Sequence, residues 1–539
     1  MNIRMERVGF ADYDMDLFHL CKLFYEEADV RFDDRPFDKG EAGLFVRIEL
    51  KVDEAANRIR VTSEARETQE PNETDGVTAG ANRAKGTSEA GGGEGRGAWR
   101  AAIERPLTSL TGEDPQRAVK RALGAALVKS LEQATGLAQP WGTLTGVRPT
   151  KLMHNLLLKH GDDEARRILQ DEYFVTEEKA RLLSDVAQRQ TRVIPDLHTI
   201  NGSEVSVYIG IPFCPTKCAY CTFPAYDIRG NNGSVDAFLE GLHYEIRETG
   251  KWLKAAGLGI TTIYWGGGTP TSIEAEQMDA LFETLHASFP GMDQVRELTV
   301  EAGRPDTITP EKLTVMRKWN VDRISINPQS FTQRTLDTIG RHHTVEETVE
   351  KFLLSREMGL DNINMDLIIG LPNEGLKELR HTLAETEKLM PESLTVHTLS
   401  FKRASKMTKN KDQYEVAERD EVRAMMEEAI RWTAEHGYVP YYLYRQKNIL
   451  GNLENVGYSL EGKESLYNIL MMEERQTVVG LGCGAVSKVV FPADADGREA
   501  VERFPNPKEP YHYNHAFREY TEKKLALLGK AYGSAAAVQ

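Results

Sequence analysis

The sequence predicts an α/β protein built on an incomplete (β/α)6 barrel, with an N-terminal α+β domain and a mostly helical C-terminal region. Two observations lead there. Six β-rich runs (205–210, 261–266, 297–302, 321–327, 362–372 and 393–400) are separated by segments long enough for crossover helices. Three of the five cysteines fall within eight residues just after the first run, where β/α arrays carry their functional groups. A doubly wound sheet is the alternative arrangement of the same elements.

From the start of the chain, LFHLCKLFY (17–25) reads as a helix and LFVRIELKV (44–52) alternates like a half-buried strand, with Ile59 and Val61 on a partner strand. Residues 63–97 hold Val77 as their only branched or aromatic apolar residue apart from Thr, which predicts a disordered insertion. Val119, Leu123, Leu127 and Leu131 recur every four residues and predict a helix over 115–135, capped by Gly136. WGTLTGVRPTKLMHNLL (141–157) reads as a loop followed by a helix, and helical patterns recur near 162–172 and 177–190. These features set expected domains at 1–195 (accessory), 200–404 (the partial barrel) and 405–539 (a mostly helical, substrate-side domain).

Composition narrows the function. The chain has 539 residues with 67 Lys and Arg against 82 Asp and Glu, a net charge of −15, which argues against nucleic acid or an anionic membrane as principal partner. The absence of any apolar run of about 18 residues predicts no membrane span, and a start without an apolar h-region predicts a cytoplasmic protein. Five cysteines are too few for a disulfide scaffold. Cys214, Cys218 and Cys221 form a C-x3-C-x2-C run. Zinc would require a fourth nitrogen or sulfur ligand, and no second CxxC or nearby His offers one. Three thiolates on a [4Fe–4S] cluster leave one iron open as a reaction site. Cys21 and Cys483 read as packing residues, and His342 and His343 as residues of an exposed loop.

C-x3-C-x-aromatic-C after the first strand, with Tyr220 before the third cysteine, resembles the signature of radical S-adenosylmethionine (SAM) enzymes. Later strand ends narrow the likeness. GGGTP (266–270) follows strand two, Glu301 ends strand three, Gln329 follows strand four, Arg341 lies in IGRHH and Asp366 in NMDLIIGLP. With Tyr208 and GLGCGAVSK (480–488), over residues 200 to 500, these resemble the oxygen-independent coproporphyrinogen III oxidase family. WGTLTGVRPTK, CPTKCAYCTFPAYD, NLENVGYS and YNILMMEE resemble its HemZ-type branch, the coproporphyrinogen dehydrogenases.

The resemblance implies that Cys214, Cys218 and Cys221 hold a [4Fe–4S] cluster as the catalytic metal centre. It also implies that Tyr208, Gly266, Gly267, Glu301, Gln329, Arg341 and Asp366 contact S-adenosyl-L-methionine, with Tyr220 near its adenine. The implied reaction, fed by an external electron donor, turns two propionates of a porphyrinogen substrate into vinyl groups, giving protoporphyrinogen IX for haem biosynthesis. Lys402, Arg403, Arg445 and Lys447 are candidate partners for the substrate's carboxylates. Phe223 stands where the best-established members carry a further cysteine. A sister branch without that cysteine serves as haem chaperones, so a haem-binding protein on this scaffold is the second reading, and a radical SAM enzyme with another substrate the third.

Overall fold

The computed structural model describes residues 1–32, 43–67, 98–107, 115–230, 232–402, 404–447, 449–491 and 500–533. They fall into two units, Met1–Gly146 with Leu156–Arg181, and Val147–Asn155 with Leu182–Gln539.

The first unit contains β1 (Asn2–Val8), α1 (Asp14–Phe24), β2 (Asp29–Arg31), β3 (Gly43–Asp53), β4 (Arg58–Glu67), β5 (Ala98–Pro106) and α2 (Pro115–Thr135). Its sheet runs β2-β1-β3-β4-β5, with β1 parallel to both neighbours and the rest antiparallel. Alternation on β3 and β4 sends Val46, Ile48, Ile59 and Val61 into a core shared with Leu20 and Cys21 of α1 and Leu123, Leu127 and Leu131 of α2. Gly136 closes α2 with a positive φ of 70° and a bond from its N–H to the Glu132 carbonyl.

The predicted insertion began too early. Residues 63–67 belong to β4, with Ser63 and Ala65 buried; Ser63 shares a hydroxyl hydrogen bond with Ser130 of α2, so pairing and burial override a polar composition. Residues 68–97 lie outside the described residues.

Helices α3 (Pro149–His160), α4 (Asp162–Tyr173) and α5 (Glu177–Val193) follow. The second unit then lays down β6 (Glu204–Ile211), β7 (Phe213–Cys214), β8 (Tyr226–Asp227), α6 (Val235–Ala256), β9 (Gly259–Gly267), α7 (Ala275–Ser288), β10 (Glu297–Val300), α8 (Pro310–Lys318), β11 (Arg323–Ser325), α9 (Gln333–Thr338), α10 (Val345–Glu357), β12 (Ile363–Ile369), α11 (Leu376–Leu389) and β13 (Ser393–Thr398). Strands β6, β9, β10, β11, β12 and β13 pair in that order, all parallel. They are the six predicted strands, and they form an open array.

The C-terminal region is mostly helical, as expected, but it also contributes strands. Beside α12 (Lys406–Lys409), α13 (Arg419–Glu435), α14 (Leu466–Glu473) and α15 (Pro510–Tyr532) it carries β14 (Val439–Tyr444), β15 (Asn455–Ser459), β16 (Val478–Gly482), β17 (Val486–Val490) and β18 (Val501–Pro505). These extend the parallel array at both ends, giving β14-β15-β13 at one edge and β6-β16-β17-β18 at the other. The expected separate domain at 405–539 is therefore part of the barrel unit, because its strands satisfy the array's exposed edges. The expected boundary at 195 also moves. Residues of α3 and α5 join the second unit, where His154 bonds Gln190, Gln190 bonds Glu473 and Arg189 pairs with Glu464.

Candidate functional site

The cysteine loop starts where β6 ends. Phe213 pairs with Tyr226 and Cys214 with Asp227, so a two-residue ladder closes the loop at its base. The Ala219 N–H donates to the Ile339 carbonyl at 2.9 Å and the Met407 N–H to the Ala219 carbonyl at 2.9 Å. The Thr216 hydroxyl donates to the Gly340 carbonyl at 3.3 Å. Anchored on three sides, the loop turns all three thiols toward one cavity of about 580 Å³.

Cys214 Sγ lies 3.3 Å from the Thr269 hydroxyl, and Arg304 Nη1 lies 4.0 Å from Cys218 Sγ. Burial pushes the Cys214 thiol up to about 11, against the smaller effect of Thr269, and also raises Cys221. Such thiols become ligands when a cation displaces their protons. Among the described residues no three His, Cys, Asp or Glu side chains are grouped to hold a single metal ion. The donor set suits a cluster in which each thiolate takes its own iron.

Beside the loop, Gly266, Gly267 and Gly268 form a shelf that leaves no room for side chains. A Cβ on Gly266 would stand 2.9 Å from Glu301 Oε2 and 3.0 Å from the Tyr208 ring. Gly267 has φ +112°, and a Cβ there would stand 2.7 Å from the Ile211 carbonyl oxygen. Tyr208, Tyr220, Gly267, Glu301, Gln329, Arg341 and Asp366 all line the cavity. Gly266 adjoins it through Glu301 and Tyr208. The three cysteines and the residues expected to contact SAM are thus gathered around one space.

Several buried polar atoms there have no protein partner: Thr299 Oγ1, Ser325 Oγ, Asn327 Oδ1, Gln329 Oε1 and Arg341 Nε. Gln329 holds a left-handed φ of 68°, its N–H donating to the Asp366 carbonyl and its carbonyl accepting from Ile368, both at 2.9 Å. Buried groups of this kind are normally satisfied. A ligand rich in hydroxyl, amine and carboxylate groups would satisfy them, and SAM is such a ligand.

Two carboxylates in the cavity differ in charge. Burial, with Asp366 adding to it, raises Glu301 to about 8 against the opposing pull of Arg341. Burial also works to raise Asp366, but hydrogen bonds from His397, Asn364 and Thr395 outweigh it and leave the group lowered. His397 Nε2 lies 3.5 Å from Asp366 Oδ2, and its Nδ1 lies 3.1 Å from the Tyr444 hydroxyl.

Sequence reasoning missed His397. Its signal was the alternation of Ser393, Thr395 and His397 along β13, polar residues at every second position of a buried strand. Arg304 was also missed, as was the stack of Tyr208, Tyr264 and Tyr467, whose ring centroids lie 4.5 to 6.2 Å apart. His343 is buried rather than exposed, held neutral by burial and by Arg341 and Arg304, whereas His342 is exposed. Of the four cations proposed for substrate carboxylates, Lys402 lines the cavity. Arg445 is buried and bonds Asn452, Lys447 is away from the lining, and Arg403 lies outside the described residues.

Residues 208–385 match the radical SAM superfamily. The chain is 58% identical over 424 residues, 78% of its length and 84% of the relative's, to the oxygen-independent coproporphyrinogen-III oxidase-like protein HemZ of Bacillus subtilis (strain 168). It is 28% identical over 297 residues, 54% of the chain and 72% of the relative, to the heme chaperone HemW of Escherichia coli (strain K12). The solved coproporphyrinogen III oxidase HemN from Escherichia coli superposes with a TM-score of 0.48 at 20% identity, covering 62% of this chain and 73% of that one. The chain therefore belongs to the radical SAM superfamily, in the HemZ-type branch of the oxygen-independent coproporphyrinogen III oxidase family, which uses a [4Fe–4S] cluster and SAM.

Proposed function

We propose that the protein catalyses oxidative decarboxylation of porphyrinogen propionates, with coproporphyrinogen III as substrate. The observation that carries this reading is the convergence of three loop thiols, a glycine shelf and a set of unpartnered buried polar atoms on one cavity. The 58% identity to a protein named as oxidase-like supports the substrate class.

In this reading Cys214, Cys218 and Cys221 hold the cluster. Gly266 and Gly267 let backbone approach the methionyl part of SAM, Asp366 accepts ribose hydroxyls, and Arg341 offers Nε to a carboxylate. When bound, the cluster and SAM supply an electron-driven abstraction of hydrogen from a saturated carbon. Each propionate then gives up one hydrogen atom, CO2 and one electron, the last to a one-electron acceptor outside the protein, to become a vinyl group. The stacked Tyr208, Tyr264 and Tyr467 rings line the cavity and would give the reacting carbon an apolar side. Glu301, protonated near neutral pH, can donate a hydrogen bond without adding a second negative charge beside Asp366.

A second reading, a haem-binding chaperone, is favoured by Phe223, which is 56% exposed and lines the cavity; an exposed aromatic there suits the face of a macrocycle. The experiment is anaerobic reconstitution with iron and sulfide, followed by SAM, a strong reductant and coproporphyrinogen III. Protoporphyrinogen with 5′-deoxyadenosine supports the oxidase. Stoichiometric haem binding with no SAM cleavage would replace it with the chaperone.

A further inference from the structure

Glu474, at the end of α14, is ringed by cations. Arg503 lies 2.7 Å from its carboxylate, Arg148 2.9 Å, and Lys151 and Lys488 3.8 Å each. Arg148 and Lys151 come from the GVRPTK segment ahead of the barrel strands. One carboxylate against four cations leaves positive charge in excess, and neighbouring Glu473, raised to about 7 by burial, only partly offsets it.

Lys488 and Arg503 are also register partners on β17 and β18. Like charges directly opposite across two strands repel, and Glu474 Oε1 is the single carboxylate oxygen that both of them reach. Arg148 Nε is buried without a hydrogen-bond partner. Burial and the surrounding cations lower Lys488 to about 8, with Glu474 opposing them; a further anion would relieve that cost.

Lys488 connects the cationic group to the catalytic space, since it lines the same cavity as the cysteines. It pairs with Val478, which pairs with Ser206, whereas the cysteine loop leaves β6 beyond Gly210. Four residues of strand, at about 3.3 Å each, separate the two levels by roughly 13 Å. A tetrapyrrole whose reacting propionate faces the loop would turn its opposite propionates toward that level.

We propose that Arg148, Lys488 and Arg503, gathered with Lys151 on Glu474, form the subsite that binds the non-reacting carboxylates of the substrate. This rests on the tetrapyrrole reading given above. The test uses the reconstituted full-length protein and fluorescence titration with coproporphyrin III, a stable tetracarboxylate, and with its tetramethyl ester. Arg503→Ala and Lys488→Met are expected to weaken coproporphyrin III binding about tenfold each, with Arg503→Lys restoring most of the loss. Ester binding is expected to be the same in all four proteins, and wild-type affinity for the acid to fall with added salt. Iron content and circular dichroism report folding. Wild-type affinity for the acid in folded Arg503→Ala and Lys488→Met overturns the subsite alone. A wild-type protein that binds neither porphyrin overturns the subsite together with the tetrapyrrole reading.

Discussion

Arg341 donates from Nη1 to the Tyr220 hydroxyl at 3.3 Å, while its Nη2 donates to the carbonyls of Gly303 at 2.7 Å and Asn327 at 2.9 Å. One guanidinium therefore ties the cysteine loop to the turns after the third and fourth parallel strands, and its Nε still points to no protein acceptor. Arg341→Ala is expected to weaken SAM binding about ten- to a hundredfold, the loss of a charge-assisted hydrogen bond. Arg341→Lys, which keeps the charge without the fork, should recover only part of it. Anaerobic calorimetric titration with SAM gives the answer, and unchanged affinity in the alanine variant removes the assignment.

Gly268 lies where the shelf touches the cysteine loop. A Cβ there would stand 2.5 Å from the Phe213 carbonyl oxygen and 3.1 Å from Cys214 Sγ. Both neighbours sit in the β7–β8 ladder and cannot move independently. Gly268→Ala is expected to cost about 1 to 3 kcal/mol in denaturant unfolding and to lower iron loading, whereas Gly529→Ala, with nothing within 4 Å of its Cβ, should do neither.

The five cysteines separate into two groups. Cys214, Cys218 and Cys221 line the cavity, while Cys21 and Cys483 are 0% and 2% exposed and lie outside its lining. Serine in place of Cys218 should remove most of the iron and the visible absorbance of the reconstituted protein. Alanine in place of Cys21 should leave both unchanged. Full iron content in Cys218→Ser would contradict the ligand set.

Glu301 gives the protein without SAM a pH signature. Its folded value is raised from 4.5 to about 8 by burial and by Asp366. Below pH 4.5 the group is protonated in both folded and unfolded chains. Between 4.5 and 8 only the folded protein keeps the proton, so its stabilising contribution is lost as pH rises through that window. The loss is on the order of 5 kcal/mol. Glu301→Gln should flatten this part of a stability profile measured by urea unfolding, and a variant with the wild-type slope would show that another group is responsible.

Lys524 and Glu245 are both fully buried and joined at 2.5 Å, and the pair holds β16 through the Gly480 carbonyl and the Gly482 N–H. Removing one partner leaves a buried charge uncompensated. Lys524→Met is expected to destabilise by about 3 to 5 kcal/mol, and Glu245→Gln combined with it to recover part of the loss. Chemical denaturation of the two variants distinguishes this from a simple packing defect, in which the second substitution would only add to the first.

Much of the barrel was legible because its signals are local. The six runs alternate with helix-length segments; the cysteines, Glu301 and Gln329 come just after strands, Asp366 lies on one, and Arg341 sits in the IGRHH segment beyond the fourth. What escaped depends on distant pairing. β16 joins β6 across some 270 residues, and β15 joins β13 only after α13 intervenes. The polar composition near Ser63 hid a strand whose support comes from α2. The cations on Glu474 come from segments more than 300 residues apart, a convergence that no window of sequence contains.

Isotope transfer tests the central claim most directly. Coproporphyrinogen III deuterated at the propionate carbons attached to the ring should be turned over anaerobically with SAM and a reductant, and the 5′-deoxyadenosine examined by mass spectrometry. One deuterium per molecule of 5′-deoxyadenosine, with a vinyl-bearing tetrapyrrole forming in step, is the result expected if hydrogen is taken from a propionate in this cavity. Unlabelled 5′-deoxyadenosine with intact propionates would contradict the account.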